Sequence, residues 1–386
     1  MIEAVKGFKD FTGEEAKKRE KIREILVKTF FLYGFEPAET PVIEREEFVR
    51  GDNADDEAVS DIFKLQDKGK RNLALRYEFT FQLKRLAQNK KLPYKRFSVG
   101  SVFRDEPVTG NRFRQFTQCD IDTVGSSIKD EAEILAVTSQ ALKKLGIEFI
   151  INFNNRKLMN EILDDEGIKN KEEVIREIDK SDKLSEKEIL ENLKKYNAEK
   201  VLKIFKEKEN FFRKYQSYKE IEELKKYCAY YGVETNFLPS LARGLSYYNG
   251  SVFEVKSEVK ETITAGGSYL INGIQSTGIS FGLERLSMLA RLTEFNNGIL
   301  IISINEDKEA IKLGGELRKN LIPVAQMYGK PSKALEYANS YAIPFVIFVG
   351  EDEIKKKKFK LKDMATGKEE FLSIKEVISK LRPKTE

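Results

Sequence analysis

Histidine is missing altogether from these 386 residues. Its absence excludes an imidazole general base, a Ser-His or Cys-His nucleophile and any His-ligated metal. Tryptophan is absent too, and the two cysteines, Cys119 and Cys228, cannot build a disulfide framework or a four-thiolate zinc site. A reducing, cytoplasmic compartment is expected from that usage. No apolar run is long enough to span a bilayer, so no membrane association is expected. The opening residues Met1–Lys6 lack a charged region followed by an apolar one, so no secretory leader is expected. No Gly-x-x-x-x-Gly-Lys-Ser/Thr loop occurs, and no Gly-x-Gly-x-x-Gly turn follows a strand pattern. What chemistry remains must run on carboxylates, Arg, Lys, Tyr, backbone dipoles or a metal bound through oxygen.

What is present is the composition of a globular protein: 40% hydrophobic and 34% charged residues. Sixty-eight basic against 63 acidic residues leave a net charge of only +5, which permits a nucleic-acid partner without demanding one. The length suffices for two or three domains. Thr12-Gly13-Glu14-Glu15 has capping-box spacing. Ile22, Ile25, Leu26, Phe30 and Tyr33 then follow at helical period until Gly34. Pro41 interrupts an extended segment, and a short strand at Ile62–Leu65 turns at Asp67–Gly69. Leu73–Arg76 leads through Tyr77–Thr80 into a helix expected to reach about Gln88. Strands are expected at 97–103 and 115–124, a helix at 131–145 and a strand at 149–153. From about 169 to 230 the chain is rich in Lys, Glu and Leu at helical spacing. Strands resume at 247–255 and 262–265, with a helix from near Phe281. Beyond Asn296-Asn297-Gly298, strands at 299–304 and 345–349 alternate with helices at 308–320, 332–341 and 375–381, the pattern of a small α/β domain.

The segment Arg96–Gly125 carries the most chemistry. Side chains alternate faces along a strand, so Arg104 and Glu106 share one parity, and Arg112, Arg114, Phe116, Gln118, Asp120 and Asp122 share one face of the return strand. A hairpin would gather three arginines, three carboxylates, an aromatic ring and an amide on one surface. Two readings stand at this point: a solvated outer sheet face with charges paired across strands, or a ligand surface. For the second, Arg suits bidentate phosphate contact, Phe116 offers a stacking plane, and Gln118 and Asp122 can accept from an amine or an imidazole.

Phe103-Arg104-Asp105-Glu106 and Arg112-Phe113-Arg114-Gln115-Phe116 resemble motif 2 of the class II aminoacyl-tRNA synthetases. Gln118-Cys119-Asp120-Ile121-Asp122 is similar to the histidyl branch, particularly its archaeal and eukaryotic forms. Leu241-Ala242-Arg243-Gly244-Leu245-Ser246-Tyr247-Tyr248 and Val252-Phe253-Glu254-Val255 resemble the signature of that branch. Ser276–Leu286 is similar to motif 3, and the Pro41 region to motif 1, a dimer element. Gly350–Glu353 and Lys360–Met364 fit the family's anticodon-binding domain.

The resemblance implies an α+β catalytic core on an antiparallel sheet, the class II synthetase fold, over 1–168 and 231–294. It also implies a helical insertion over 169–230 and a C-terminal α/β anticodon-binding domain over 298–386. Its implied activity is ATP-dependent activation of histidine and transfer to tRNA(His), in a homodimer, with Mg2+ bridging the outer phosphates. ATP would be held by Arg104 on the α-phosphate, Glu106 on the adenine amino group, Phe116 stacked on the base, Arg112 on the distal phosphates and Arg285 on the γ-phosphate. Arg243 would contact the histidine carboxylate and the α-phosphate, acting with Arg104 as a catalytic cation. Glu78, Thr80 and Gln118 would take the α-amino group. Asp122 and Tyr248 would take opposite imidazole nitrogens, with Tyr247 and Tyr269 lining the pocket. No protein side chain is assigned to a metal. Ser246 stands where the signature usually has Asp, and Ser268 and Leu270 depart from the family's Gly-Gly-Arg-Tyr-Asp. Three alternatives remain: a synthetase for another amino acid, such as proline or threonine; a silent regulatory subunit like the synthetase-derived partner of ATP phosphoribosyltransferase; and a sensor of uncharged tRNA.

Overall fold

The computed structural model describes residues 3–50, 61–108, 112–180, 184–243, 247–257, 262–292 and 298–382. Parts of the expected 107–111 loop, Gly244–Ser246 of the signature and the 296–297 boundary lie outside the described residues. Two compact units divide the chain, Met1–Leu292 and Thr293–Glu386.

In the first unit, helix α1 (Gly13–Leu32) buries Ile22, Leu26 and Phe30 of the expected stripe, and Ile25 and Tyr33 pack half-buried against the same core. The Thr12 capping box does not form: Thr12 makes no side-chain cap, and Glu15 pairs instead with Lys9 at 2.8 Å. Strands β1 (Glu36–Pro37) and β2 (Ile43–Arg45) and helix α2 (Glu46–Arg50) follow, then β3 (Lys64–Gln66) and β4 (Asn72–Leu75). Strands β2, β4 and β3 make a small antiparallel sheet. The helix expected up to Gln88 is a single turn, α3 (Leu83–Leu86). Residues 76–82 are instead a loop whose Arg76, Tyr77, Glu78 and Phe79 are buried. The hairpin β5 (Tyr94–Phe103) and β6 (Gln115–Val124), helix α4 (Ile128–Lys144), β7 (Ile150–Asn155) and α5 (Arg156–Asp165) come next.

Between 171 and 230 the described residues form five helices: α6 (Lys171–Asp179), α7 (Glu186–Lys194), α8 (Glu199–Ile204), α9 (Glu209–Phe212) and α10 (Tyr218–Tyr230). Their apolar side chains, including Val174, Leu193 and Phe212, join the same hydrophobic cluster as α1 and α4. After β8 (Asn236–Phe237) and β9 (Tyr248–Lys256), the expected short strand at 262–265 is one arm of a hairpin, β10 (Thr262–Ile271) and β11 (Ile274–Gly282). The helix placed near Phe281 begins later, as α11 (Leu283–Leu289), because Phe281 still pairs with Cys119 and fills the core. The main sheet runs β1-β5-β6-β11-β10-β9-β7-β8, antiparallel except for the two-residue strands at its edges. One face, with Phe97, Cys119, Ile121, Phe253, Ile279 and Phe281, packs into the large cluster with the helices. The other carries the polar residues.

The second unit has a sheet ordered β13-β12-β14-β15-β16, where β12 is Ile299–Ser303, β13 Val324–Tyr328, β14 Phe345–Val349, β15 Phe359–Asp363 and β16 Glu369–Leu372. The first three strands are parallel and the last two antiparallel. Helices α12 (Asp307–Lys319), α13 (Pro331–Ser340), α14 (Glu351–Lys356) and α15 (Ile374–Leu381) complete the unit, whose two apolar clusters lie on opposite faces of the sheet. Strands β13, β15 and β16 were not among the expected elements; they are short and mostly only partly buried. The lysine run at 355–362 ends α14 and enters β15, where Lys360 and Lys362 pair with Glu369 at 3.2 Å. Among the described residues no helix is long and apolar enough to cross a membrane.

Candidate active site

Cross-strand register assembles the polar face. Arg96, Asp122, Gly278, Gly267 and Val252 stand side by side on β5, β6, β11, β10 and β9. In the next row come Ser98, Asp120, Ser280, Ala265 and Glu254. The face is no solvated outer surface: Gln118, Asp120 and Asp122 are all buried.

Gly278 and Gly267, lacking side chains, leave a trough in the sheet face that the Asp122 carboxylate and the Tyr248 ring lean into. A Cβ on Gly278 would overlap the Asp122 carboxylate, lying 2.8 Å from its Cγ, and one on Gly267 would lie 2.8 Å from the Tyr248 ring. Asp122 therefore bounds one side and Tyr248 the other. A bulge in β9, where Tyr248 to Val252 oppose only Tyr269 to Gly267, sets Tyr248 across from Tyr269. Tyr269 reaches over and donates its hydroxyl to Asp122 Oδ1. Tyr247, Tyr248 and Tyr269 cluster with ring centroids 4.7–6.4 Å apart. Burial raises the Asp122 carboxyl above its ordinary range, while the Arg96 guanidinium and the Tyr269 hydroxyl pull it back.

Beside the trough, Glu78 is buried and burial pushes its carboxyl up to about 8, Arg104 opposing and Asp120 and Asp122 reinforcing the shift. Thr80 is half-buried on the same loop, its carbonyl accepting from the Leu83 N–H at 3.0 Å. The Gln118 amide donates to Ser280 Oγ at 2.7 Å, and Ser280 donates to Asp120 Oδ1 at 2.5 Å. Burial, then the Asp122 charge, pushes Asp120 up to about 7.

Two groups of arginines belong to this face. Arg104 sits over the rings of Tyr77, at 4.2 Å, and Phe116, at 5.1 Å, so its guanidinium is held in place by aromatic faces rather than by a strong ion pair. Glu106 is 4.0 Å from Arg104 and 3.6 Å from the half-exposed Arg112. Arg114 turns to the N-terminal segment: its backbone N–H donates to the Gly7 carbonyl, and its guanidinium pairs with Asp105 at 3.2 Å. At the other end of the sheet, Arg243 lies 4.0 Å from Glu254, Glu254 accepts from the Thr262 hydroxyl, and Arg285 donates to the Thr262 carbonyl. Glu254 and Thr262 thus join Arg243 to Arg285.

Half of the fourteen buried side-chain atoms without a hydrogen-bond partner among the described residues belong to this face. They are Glu78 Oε1, Arg96 Nε and Nη1, Arg104 Nε, Gln118 Oε1, Arg243 Nε, and Asp122 Oδ2, whose ion-paired neighbour is Arg96 Nη2 at 2.8 Å. Native interiors rarely leave such groups unpaired, so their concentration marks a place for a polar ligand. A nucleotide fits the donor set: fixed guanidiniums for phosphate and the half-buried Phe116 ring for a base.

Sequence reasoning quoted Arg96, Ser280, Glu254 and both glycines within its segments and motifs but gave none of them a role. Arg96 shares the parity of Arg104 along β5, which was a usable signal; the glycines matter only through register.

A strand-built face that offers arginines, an aromatic ring and buried carboxylates, with no P-loop or Rossmann turn, defines the catalytic core of a class II aminoacyl-tRNA synthetase. The histidyl-tRNA synthetase family model matches residues 7–286, and an anticodon binding domain model matches 298–384. A histidine–tRNA ligase 1 of Bacillus cereus is 34% identical over 95% of this chain and 94% of its own. A histidine–tRNA ligase of Wolinella succinogenes is 35% identical over 94% and 93%. The crystal structure of histidyl-tRNA synthetase from Nostoc sp. PCC 7120 superposes with a TM-score of 0.86 at 23% identity, covering 99% of both chains. An ATP phosphoribosyltransferase regulatory subunit/histidyl-tRNA synthetase structure from Bacillus halodurans gives 0.76 at 22% identity, over 87% of this chain and 96% of that one. This chain belongs to the histidyl-tRNA synthetase family.

Proposed function

We propose that the chain activates histidine with ATP and transfers the histidyl group to tRNA(His), working as a cytoplasmic homodimer. The observation that carries the reading is the trough with an acceptor, Asp122, on one side and a phenol, Tyr248, on the other, floored by Gly278 and Gly267. A flat ring with two nitrogens suits it, one nitrogen donating to Asp122 and the other accepting from Tyr248. A site built to pair both rejects side chains that can pair with neither by roughly 10⁴-fold or more.

Glu78, Thr80 and Gln118 hold the α-amino group, which directs the carboxylate toward Arg243. That carboxylate attacks the α-phosphorus of ATP, and pyrophosphate leaves. Arg104 and Arg243 neutralise charge building on the α-phosphate, Arg112 and Arg285 hold the outer phosphates, Phe116 stacks on adenine and Glu106 accepts from its amino group. Catalysis is positioning plus electrostatics, since phosphoryl chemistry needs little else from the protein. In the second step the terminal adenosine hydroxyl of the tRNA attacks the adenylate carbonyl and AMP leaves. The Thr293–Glu386 unit, with its match to an anticodon binding domain, holds the far end of the tRNA. Among the described residues no three acidic or thiol groups converge as a metal site, and Glu106 and Glu254 already face arginines. Magnesium, which ATP carries on its phosphates, would therefore be bound mainly through phosphate oxygens and water.

The test is ATP–pyrophosphate exchange with each of the twenty amino acids. Exchange that depends on histidine alone is expected. Exchange with another amino acid moves the specificity elsewhere, and no exchange at all leaves a catalytically silent relative.

A further inference from the structure

Arg96 is the largest fully buried side chain of the protein among the described residues. It stands directly across β5–β6 from Asp122, and its Nη2 lies 2.8 Å from Asp122 Oδ2. The same nitrogen donates to the Phe79 carbonyl at 2.9 Å. Phe79 lies between Glu78 and Thr80 in the 76–82 loop, outside every sheet ladder. Two other groups steady that residue: Arg76 packs its guanidinium 4.6 Å from the Phe79 ring, and the Gln82 amide, in the orientation that satisfies it, donates to the Glu78 and Phe79 carbonyls at 3.0 and 3.1 Å. One guanidinium nitrogen is thus the direct link between the carboxylate at the trough and the loop carrying Glu78.

We infer that Arg96 is a positioning residue for histidine: by holding Asp122 and the Phe79 carbonyl on one nitrogen, it sets the distance between the group that reads the ring and the loop that reads the α-amino group. This rests on the proposed roles of Asp122 and Glu78. An amino acid whose ring and amine both match their acceptors must span that fixed distance, so Arg96 acts on histidine affinity and not on ATP. It touches no reacting atom. A guanidinium suits the task because it keeps its charge when wholly buried and can donate to the Phe79 carbonyl while its charge faces the Asp122 carboxylate, which lysine at the same place does less well.

The experiment compares wild type with R96Q and R96K by pyrophosphate exchange, reading KM for histidine and for ATP separately, with inhibition by histidinol as a carboxylate-free probe of ring and amine recognition. R96Q is expected to raise the histidine KM and the histidinol inhibition constant together by about thirtyfold or more, with the ATP KM within threefold; misplacement by about 1 Å costs on the order of a hundredfold. R96K should recover part of the loss. In D122N/R96Q the two effects should combine to less than their product, because Arg96 works partly through Asp122. Histidine and ATP KM values rising in parallel would mean a general structural role and overturn the inference, as would a histidine KM within threefold of wild type. Should R96Q fail to fold, R96K decides: a selective rise of at least threefold in histidine KM supports the inference and an unchanged value overturns it. Wild-type protein without histidine-dependent exchange sinks the functional reading and this inference together, whereas normal wild-type exchange with an indifferent Arg96 sinks only the latter.

Discussion

Gly278→Ala adds one methyl group at the floor of the trough, and its consequence follows from distances. The new Cβ would overlap Asp122 Oδ1 and lie 2.8 Å from Asp122 Cγ and from the Ile121 carbonyl oxygen. Ordinary contact needs about 3.5 Å, so the carboxylate must retreat by roughly 1 Å, and the Ile121 carbonyl contact requires a smaller local adjustment of the β6–β11 ladder as well. The ladder is continuous from Ser276↔Val124 to Gly282↔Gln118, and Ile121 and Ile279 beside the glycine are core residues, so the carboxylate is the softer element. Its retreat pulls Oδ1 from the Tyr269 hydroxyl and disturbs the 2.8 Å pair with Arg96. A displacement of that size costs about a hundredfold in histidine kcat/KM, close to 2.7 kcal/mol at ~1.4 kcal/mol per tenfold. Overpacking costs a further 1–3 kcal/mol or so of stability, a fall of several degrees in Tm. Pyrophosphate exchange titrated separately with histidine and ATP, alongside thermal unfolding, reads both. A variant that kept histidine kcat/KM within threefold of wild type would show that Asp122 does not need its place beside Gly278, and the trough would lose its meaning.

Tyr269→Phe removes the hydroxyl donor to Asp122 without changing volume; a hydrogen bond to a buried charge is worth about 1.5–3 kcal/mol, so histidine KM should rise at least tenfold, with ATP KM as the internal control. Glu78 binds a proton in the folded state up to about pH 8, whereas the unfolded chain releases it near 4.5. The folded state therefore holds more protons between those values, and this residue makes stability fall as pH rises through that window. Glu78→Gln should flatten that slope in Tm measured from pH 5 to 8 while raising histidine KM by tenfold or more; a steeper slope would contradict the burial argument. Arg243→Ala should slow exchange by about 10²–10³, the usual loss for one preorganised charge-stabilising group, and a normal rate would remove Arg243 from the scheme. Truncation after Asn297 leaves the Met1–Leu292 unit with its own core, so histidine-dependent exchange should outlast tRNA charging; equal loss of both would refute the division of labour.

Local pattern was enough for much of this molecule. The stripe of α1 became its buried face because a 3.6-residue period can serve only one packed side. The charged parity of β6 became one face of the sheet because side chains alternate, whatever the partner strand. Pattern failed where a particular polar side chain outside the apolar period decides. The 76–82 loop looked like the start of a helix, but its buried carbonyls go to Arg96 and Gln82 rather than to a helical ladder. Capping at Thr12 failed because Lys9 competes for Glu15. The site residues could be nominated by resemblance to motifs; Ser280, Gly278 and Gly267 lie inside such motifs but take their roles, like Arg96, only from strand register.

The sequence by itself determined that no imidazole could take part, that ATP would not be held by a P-loop, and that arginines, carboxylates and tyrosines were the available tools. Only the tertiary structure decided which of them meet. Strand register put Arg96 beside Asp122, and it joined Asp122 to Gly278, 156 residues further along the chain, with Gly267 next to it on the Tyr248 side. Burial then decided their charge states: the same carboxyl that ionises freely in an extended chain is held near pH 8 at Glu78, because the folded interior withholds the water that would solvate it.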